Sequence, residues 1–120
     1  MKLKIAAVGR LAPGPERALV EDYIARAGAT GRSLALGPIS LTEIDERKAR
    51  TSAEQSAKLI DAAGSSHLIV LDERGKTLSS PDLAALLARL RDQGVAITAF
   101  AIGGADGHDA ALRDRADRLL

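Results

Sequence analysis

The chain has 120 residues, of which 46% are hydrophobic and 28% charged, a composition typical of a folded globular protein rather than a disordered one. Its 17 basic and 16 acidic residues nearly cancel, so overall charge does not mark a nucleic-acid binder, and any RNA contact would need a local patch. The absence of cysteine excludes disulfides, thiolate metal sites and cysteine nucleophiles. Tyr23 and Phe100 are the only aromatic residues, which disfavours single-strand recognition by base stacking.

The amino-terminal segment MKLKIAAVGRLAPGPE lacks the long apolar region and the cleavage site of a signal peptide. No apolar run elsewhere approaches the length needed to span a membrane. These features predict a cytoplasmic protein with no membrane partner.

The first part of the chain predicts two strands separated by a helix. Residues 3–8 form a short apolar run, and the segment after it has apolar residues at helical spacing up to an expected stop at Gly28. Residues 33–44 are rich in alternating apolar and small residues, as in a strand. The charged run 45–50 is typical of a solvated loop.

Three later helices are predicted from their starting residues. Thr51 and Glu54 have the spacing of a capping box. Ser80 is the expected N-cap of the next helix, with Pro81 at its first position. Asp109 begins a last, highly charged helix that is expected to continue to the end of the chain.

Continuous apolar runs at 67–72 and 95–102 have the length and character of buried strands. The chain therefore alternates strand and helix four times. This order predicts an α/β fold with a mostly parallel sheet and helices on both faces, formed by a single domain over residues 1–120.

Two loops after predicted strands carry residues suited to binding a ligand, LDERGK at 71–76 and IGGADGHD at 102–109. In open α/β sheets, ligands bind beyond the carboxyl ends of the strands. Gly103 and Gly104 would let a nucleotide-like group approach the backbone and bond to its amides. The competing interpretation is that these glycines only allow a strand to turn into a helix. The glycine spacing matches neither the dinucleotide-binding fingerprint nor the Walker A loop, which weakens a third reading, a general nucleotide-phosphate binder.

The remaining polar residues give weaker indications of a functional site. Asp72 at a strand end is reminiscent of a phosphoacceptor receiver domain, but the loop after the first strand lacks the acidic pair that such a site needs. His67 is expected at the surface or at a strand edge. His108 is interpreted as a solvated turn residue, with ligand contact as the alternative. The two histidines are too far apart in the sequence to suggest a metal site.

The strings LDERGKTLSS and AIGGADGHDAALRDRADRLL, together with MKLKIAAVGRL and EDYIAR, resemble one family over the whole chain. The chain is similar to SPOUT-superfamily methyltransferases of the RlmH type, which methylate a pseudouridine in large-subunit ribosomal RNA. The resemblance implies an α/β knot fold, S-adenosylmethionine as cofactor, ribosomal RNA within the ribosome as partner, and a homodimer with its active site near the subunit interface. It also implies that Leu71, Gly103 and Gly104 contact the cofactor, and that no metal takes part.

The family pattern continues beyond the point where this chain ends. The resemblance therefore implies that the knot segment and a last strand are absent, and that the fourth strand lacks a neighbour. On this basis the chain is expected to bind the cofactor weakly and to be weakly active or inactive, and no catalytic residue is assigned. The alternative function is a non-catalytic module for dimerisation or ribosome association.

Overall fold

The computed structural model describes all residues, Met1–Leu120, and contains one five-stranded, all-parallel sheet. The strand order is β2-β1-β4-β3-β5. The strands are β1 (Lys2–Val8), β2 (Ile39–Ile44), β3 (His67–Leu71), β4 (Ile97–Ile102) and β5 (Arg118–Leu119). The helices are α1 (Pro15–Gly31), α2 (Ser52–Ala63), α3 (Ser80–Asp92) and α4 (Ala110–Arg115), with short 3-10 turns at Arg32–Leu34 and Glu46–Lys48.

Helices cover both faces of the sheet, as predicted, because side chains alternate along each strand. One face of β3 and β4 packs on α2 and α4, in a core that includes Leu59, Leu68 and Leu112. The opposite face packs on α3, where Leu86 and Leu90 meet the intervening residues of the strands. The predicted α/β class is confirmed.

The helix starts agree with the capping prediction to within one residue. The hydroxyl of Thr51 accepts from the Glu54 amide at 3.1 Å, and the carboxylate of Asp109 accepts from the Leu112 amide at 3.2 Å. The predicted cap at Ser80 is displaced by one position, since the Ser79 hydroxyl is the group that accepts from the helix. The sequence alone does not show which of the two adjacent serines before Pro81 caps the helix.

Three predicted boundaries are wrong, namely the ends of two helices and the beginning of one strand. The first helix passes through Gly28 and ends at Gly31, and the second strand begins at Ile39 rather than near residue 33. The last helix stops at Arg115, and the chain then extends into β5. No helix combines the length and the apolar character required to cross a lipid bilayer.

The expectation that the fourth strand lacks a neighbour is also wrong. In the sheet, β4 lies between β1 and β3 and pairs with both along its length. The strand beside β3 on its other side is β5, which pairs at Ile69 and Val70. The connection through α4 therefore crosses β3, and the final residues occupy the edge of the sheet.

The loop after β3 folds closely over this final strand. The amide of Asp72 donates to the Leu120 carbonyl at 3.0 Å, and the amide of Lys76 donates to Leu119 at 3.3 Å. A Cβ at Gly75 would lie 2.6 Å from the backbone nitrogen of Leu120 and 2.7 Å from its oxygen. Glycine is required here because no side chain fits between the loop and β5.

Candidate functional site

The two loops selected from the sequence lie side by side. Leu71 at the end of β3 is opposite Ile102 at the end of β4 in the parallel register. The chain leaves β3 toward α3 on one face of the sheet and leaves β4 toward α4 on the other. Adjacent strands whose connections leave toward opposite faces open a crevice at their carboxyl ends.

A cleft of about 220 Å³ occupies this crevice. It includes all three residues expected from the sequence to contact a ligand, Leu71, Gly103 and Gly104. The other lining residues are Asp72, Glu73, Ile102, Ala105, Gly107, His108 and Arg113. Larger grooves of about 440 to 460 Å³ lie elsewhere, but none of them brings the two loops together.

The glycine loop that lines the cleft contains backbone amides without an acceptor in the protein. None of the backbone hydrogen bonds formed in turns and loops starts at the amide of Gly103, Gly104 or Ala105. Residues Leu71 and Ile102 are 38% and 39% exposed. The cleft is thus lined by three residues with unused N–H groups and by apolar contact surface, as ligand sites commonly are.

A side chain added at Gly103 or at Gly104 would point toward neighbouring side chains of the protein. A Cβ at Gly104 would lie 3.1 Å from Gln55 Oε1 and 3.2 Å from a methyl group of Val8. A Cβ at Gly103 would overlap the ring of His108. Internal packing therefore restricts Gly103 to glycine and makes a side chain at Gly104 crowded, and both effects are separate from any approach of a ligand to the backbone.

His108 is not the solvated turn residue that the sequence suggests. Its side chain is buried, and its Nε2 lies 2.8 Å from the carbonyl oxygen of Leu71. A lone histidine in a glycine-rich turn has the pattern of a polar surface residue, and only the return of the loop against β3 buries it. His67 is half-buried at the start of β3, with Nδ1 3.9 Å from a carboxylate oxygen of Asp117.

Asp72 connects the loop after β3 to α4. One carboxylate oxygen accepts from the Arg74 amide at 2.8 Å, and the other accepts from Nε of Arg113 at 2.9 Å. The side chain is only 2% exposed. Both oxygens are engaged within the protein, and no group of three His, Cys, Asp or Glu residues converges on a possible metal position. This geometry differs from a receiver domain, in which the carboxylate faces a cation.

The same contacts determine the ionisation of Asp72. The Arg74 amide, followed by the hydrogen bond and charge of Arg113, lowers the pKa of this carboxyl below its ordinary value of 3.8, against a raising effect of burial. The folded protein therefore binds fewer protons at Asp72 than the unfolded chain does at acidic pH. The resulting stabilisation is complete at neutral pH and is lost as the pH falls below about 3.8.

We expect Asp72→Asn to lower the free energy of unfolding at pH 7 by about 1 kcal/mol, since it replaces a charged hydrogen bond by a neutral one beside a partly exposed arginine. Urea titrations from pH 7 to pH 2.5 should show the difference from wild type narrowing below pH 4. The control is Glu73→Gln, which removes an adjacent exposed carboxylate that forms no ion pair. A difference in unfolding free energy between wild type and Asp72→Asn that does not change with pH would contradict the lowered pKa of Asp72.

The arginines of the last helix are less available than the charged pattern suggests. Arg113 is held by Asp72, and Arg115 donates at 2.8 Å to the carbonyls of both Gly64 and Ser66. These contacts fix α4 to the loops at the two ends of β3. They leave neither guanidinium on an open outer face.

Comparisons with known proteins show the family of the chain. The family model described as "Predicted SPOUT methyltransferase" matches residues 1–120. The chain belongs to this family. The chain is 54% identical over 123 residues to the ribosomal RNA large subunit methyltransferase H of Cereibacter sphaeroides. The alignment covers 100% of the chain and 77% of the relative. The protein of the same name from Maricaulis maris is 46% identical, with 78% of its length aligned, and that from Paracoccus denitrificans is 48% identical, with 77% aligned.

Proposed function

We propose that this SPOUT methyltransferase transfers a methyl group from S-adenosylmethionine to a ring nitrogen of a pseudouridine in large-subunit ribosomal RNA. Membership of the family and relatives named as ribosomal RNA large subunit methyltransferases support the proposal. The observation that carries it is the meeting of Leu71 with the free amides of Gly103 and Gly104 at one edge of the sheet.

The cleft has donors and surfaces that fit an adenosine. Amides of the glycine loop can donate to ring nitrogens or ribose oxygens, and the exposed faces of Leu71 and Ile102 can contact the base. At about 220 Å³ the cleft would enclose part of such a molecule and leave the rest accessible, so we expect weak cofactor binding and low activity. We therefore assign Leu71, Gly103 and Gly104 to cofactor binding.

In the proposed reaction, the protein contributes to methyl transfer mainly by positioning the methyl donor. S-adenosylmethionine, when bound, supplies an electrophilic methyl group on a sulfonium. The glycine loop after β4 holds its amides beside the end of β3, where they can orient a ligand before reaction. The ring nitrogen of the target must lose its proton. We assign no side chain of this chain to that task.

We expect Leu71→Ala to weaken S-adenosylmethionine binding about tenfold, because part of the apolar contact with the base is lost. Isothermal calorimetry measures the dissociation constants. The matched control is Leu34→Ala, which truncates an exposed leucine outside the cleft and should leave affinity unchanged. Equal affinity in wild type and Leu71→Ala would remove Leu71 from the site.

Activity is tested with ribosomes that lack the modification, using a labelled methyl donor and mass spectrometry of the digested RNA. Methylated pseudouridine supports the proposed function. Ribosome binding without methyl incorporation or cofactor binding would favour the alternative, a non-catalytic association module.

A homodimer in the cytoplasm is part of the same proposal. Leu19 and Tyr23 on α1 are 55% and 57% exposed. Contact with a second copy would remove this apolar surface from water. The cytoplasm is assigned because the proposed substrate is ribosomal RNA.

A further inference from the structure

His108 contacts both strands that form the cleft. Its Nε2 carries the hydrogen and donates to the Leu71 carbonyl, because a carbonyl oxygen can only accept. Its ring fills the space beside the α-carbon of Gly103, where a Cβ would lie 2.8 Å from Nδ1 and 3.1 Å from Nε2. The ring therefore lies between the end of β3 and the end of β4.

The Leu71 carbonyl is also the acceptor for the next step of the β3–β4 ladder. The Val70 carbonyl points toward β5, where it accepts from Leu120 at 2.9 Å, so the following carbonyl points toward β4. With Leu71 opposite Ile102, its regular partner in a parallel ladder would be the amide of Gly103. That amide forms none of the backbone hydrogen bonds of the turns and loops, and His108 donates to the same carbonyl, although Leu71 and Ile102 remain paired.

The segment that carries His108 is attached to α2 on both sides of the histidine. The hydroxyl of Ser52 donates to the Gly107 carbonyl at 3.3 Å, and the amide of Asp109 donates to the hydroxyl of Ser56 at 3.2 Å. Ser56 is itself buried. These bonds hold the imidazole against β3 from the side of α2, independently of Gly103.

We propose that His108 is a positioning residue that ends the β3–β4 ladder one step early and thereby keeps the Gly103 N–H free to donate to a ligand. The identity of that ligand, the adenosine of S-adenosylmethionine, rests on the proposed function. The effect of the imidazole on the Gly103 amide does not, and it is measurable in the protein without ligand.

The first test is amide hydrogen exchange of Gly103, followed by NMR in the wild type, His108→Leu and His108→Gln. In the wild type this amide should exchange rapidly. In His108→Leu, which keeps volume but loses the donor, the Gly103 amide should close onto Leu71 and exchange at least about tenfold more slowly. In His108→Gln, which restores a donor, exchange should return to the wild-type rate. The amide of Asp117, which donates to the Leu68 carbonyl at 2.8 Å, is the internal control.

A Gly103 amide that is protected in the wild type would overturn the proposal, and this measurement requires no variant to fold. Equal Gly103 exchange in wild type and His108→Leu would also overturn it, even if the variant were less stable. Calorimetry provides the second test, with S-adenosylmethionine binding about tenfold weaker in His108→Leu and restored in His108→Gln. If wild type binds no S-adenosylmethionine while the exchange results hold, the proposed function fails and the role of His108 stands.

Discussion

Replacing Gly31 by alanine is expected to destabilise the protein by about 3 kcal/mol, because the new methyl group would overlap backbone atoms. A Cβ at Gly31 would collide with the Leu36 carbonyl oxygen and lie 3.1 Å from its carbon. The Leu36 amide donates back to Gly31 at 3.0 Å, which holds the two segments together. The same turn also binds Met1, whose terminal amine donates to the Ala35 carbonyl at 2.7 Å. Relief of the overlap would therefore disturb the start of β1.

The matched control is Gly28→Ala, one turn earlier in α1. Apart from its chain neighbours and the backbone of α1 itself, no atom lies within 4 Å of a Cβ at Gly28, so the substitution only replaces a poor helix former by a good one. We expect it to stabilise the protein by about 0.5 to 1 kcal/mol. Urea denaturation measures both variants. Effects of the same sign would show that helix propensity, rather than the contact with Leu36, governs Gly31.

Leu112→Ala is expected to cost about 3 to 5 kcal/mol, since it opens a cavity in a core that cannot readily collapse. Leu112 is fully buried and is the one buried residue of α4. It packs in the same cluster as Leu59 and Leu68, and so attaches α4 to α2 and β3. Without this contact, α4 would loosen, together with the bond from Arg113 to Asp72.

Thermal and urea unfolding measure the loss. The control is Leu34→Ala, the same chemical change at a side chain that is 47% exposed, for which less than about 1 kcal/mol is expected. A small effect of Leu112→Ala would mean that α4 is held by its capping and ionic contacts instead of by its leucine.

Local patterns were sufficient to predict the alternation of strands and helices. Thr51 and Asp109 cap their helices because each hydroxyl or carboxylate reaches an amide only three residues away. The placement of Leu71 near Gly103 was also predictable, since parallel strands end at a common edge. In each case the deciding interaction lies within a few residues or follows from a rule that holds for all parallel sheets.

The final strand could not be predicted in this way. Arg118 and Leu119 form only two residues of strand and continue a helical charge pattern, so no local preference marks them. They are extended because β3 and the loop after it provide their hydrogen bonds. The burial of His108 could not be predicted either. The glycine-rich turn suggested a solvated residue, whereas the ring lies between the carbonyl of Leu71 and the α-carbon of Gly103.

The amino-acid sequence by itself determined the α/β class, the order of the first four strands and the helices that follow them, and the two loops that meet in the cleft, because apolar periodicity and capping act over short distances. The tertiary structure alone decided the position of β4 inside the sheet, the pairing of Asp72 with Arg113 and the enclosure of His108. These contacts join residues that lie from about 30 to about 95 positions apart, where the chain's local preferences exert no influence and packing selects the partner.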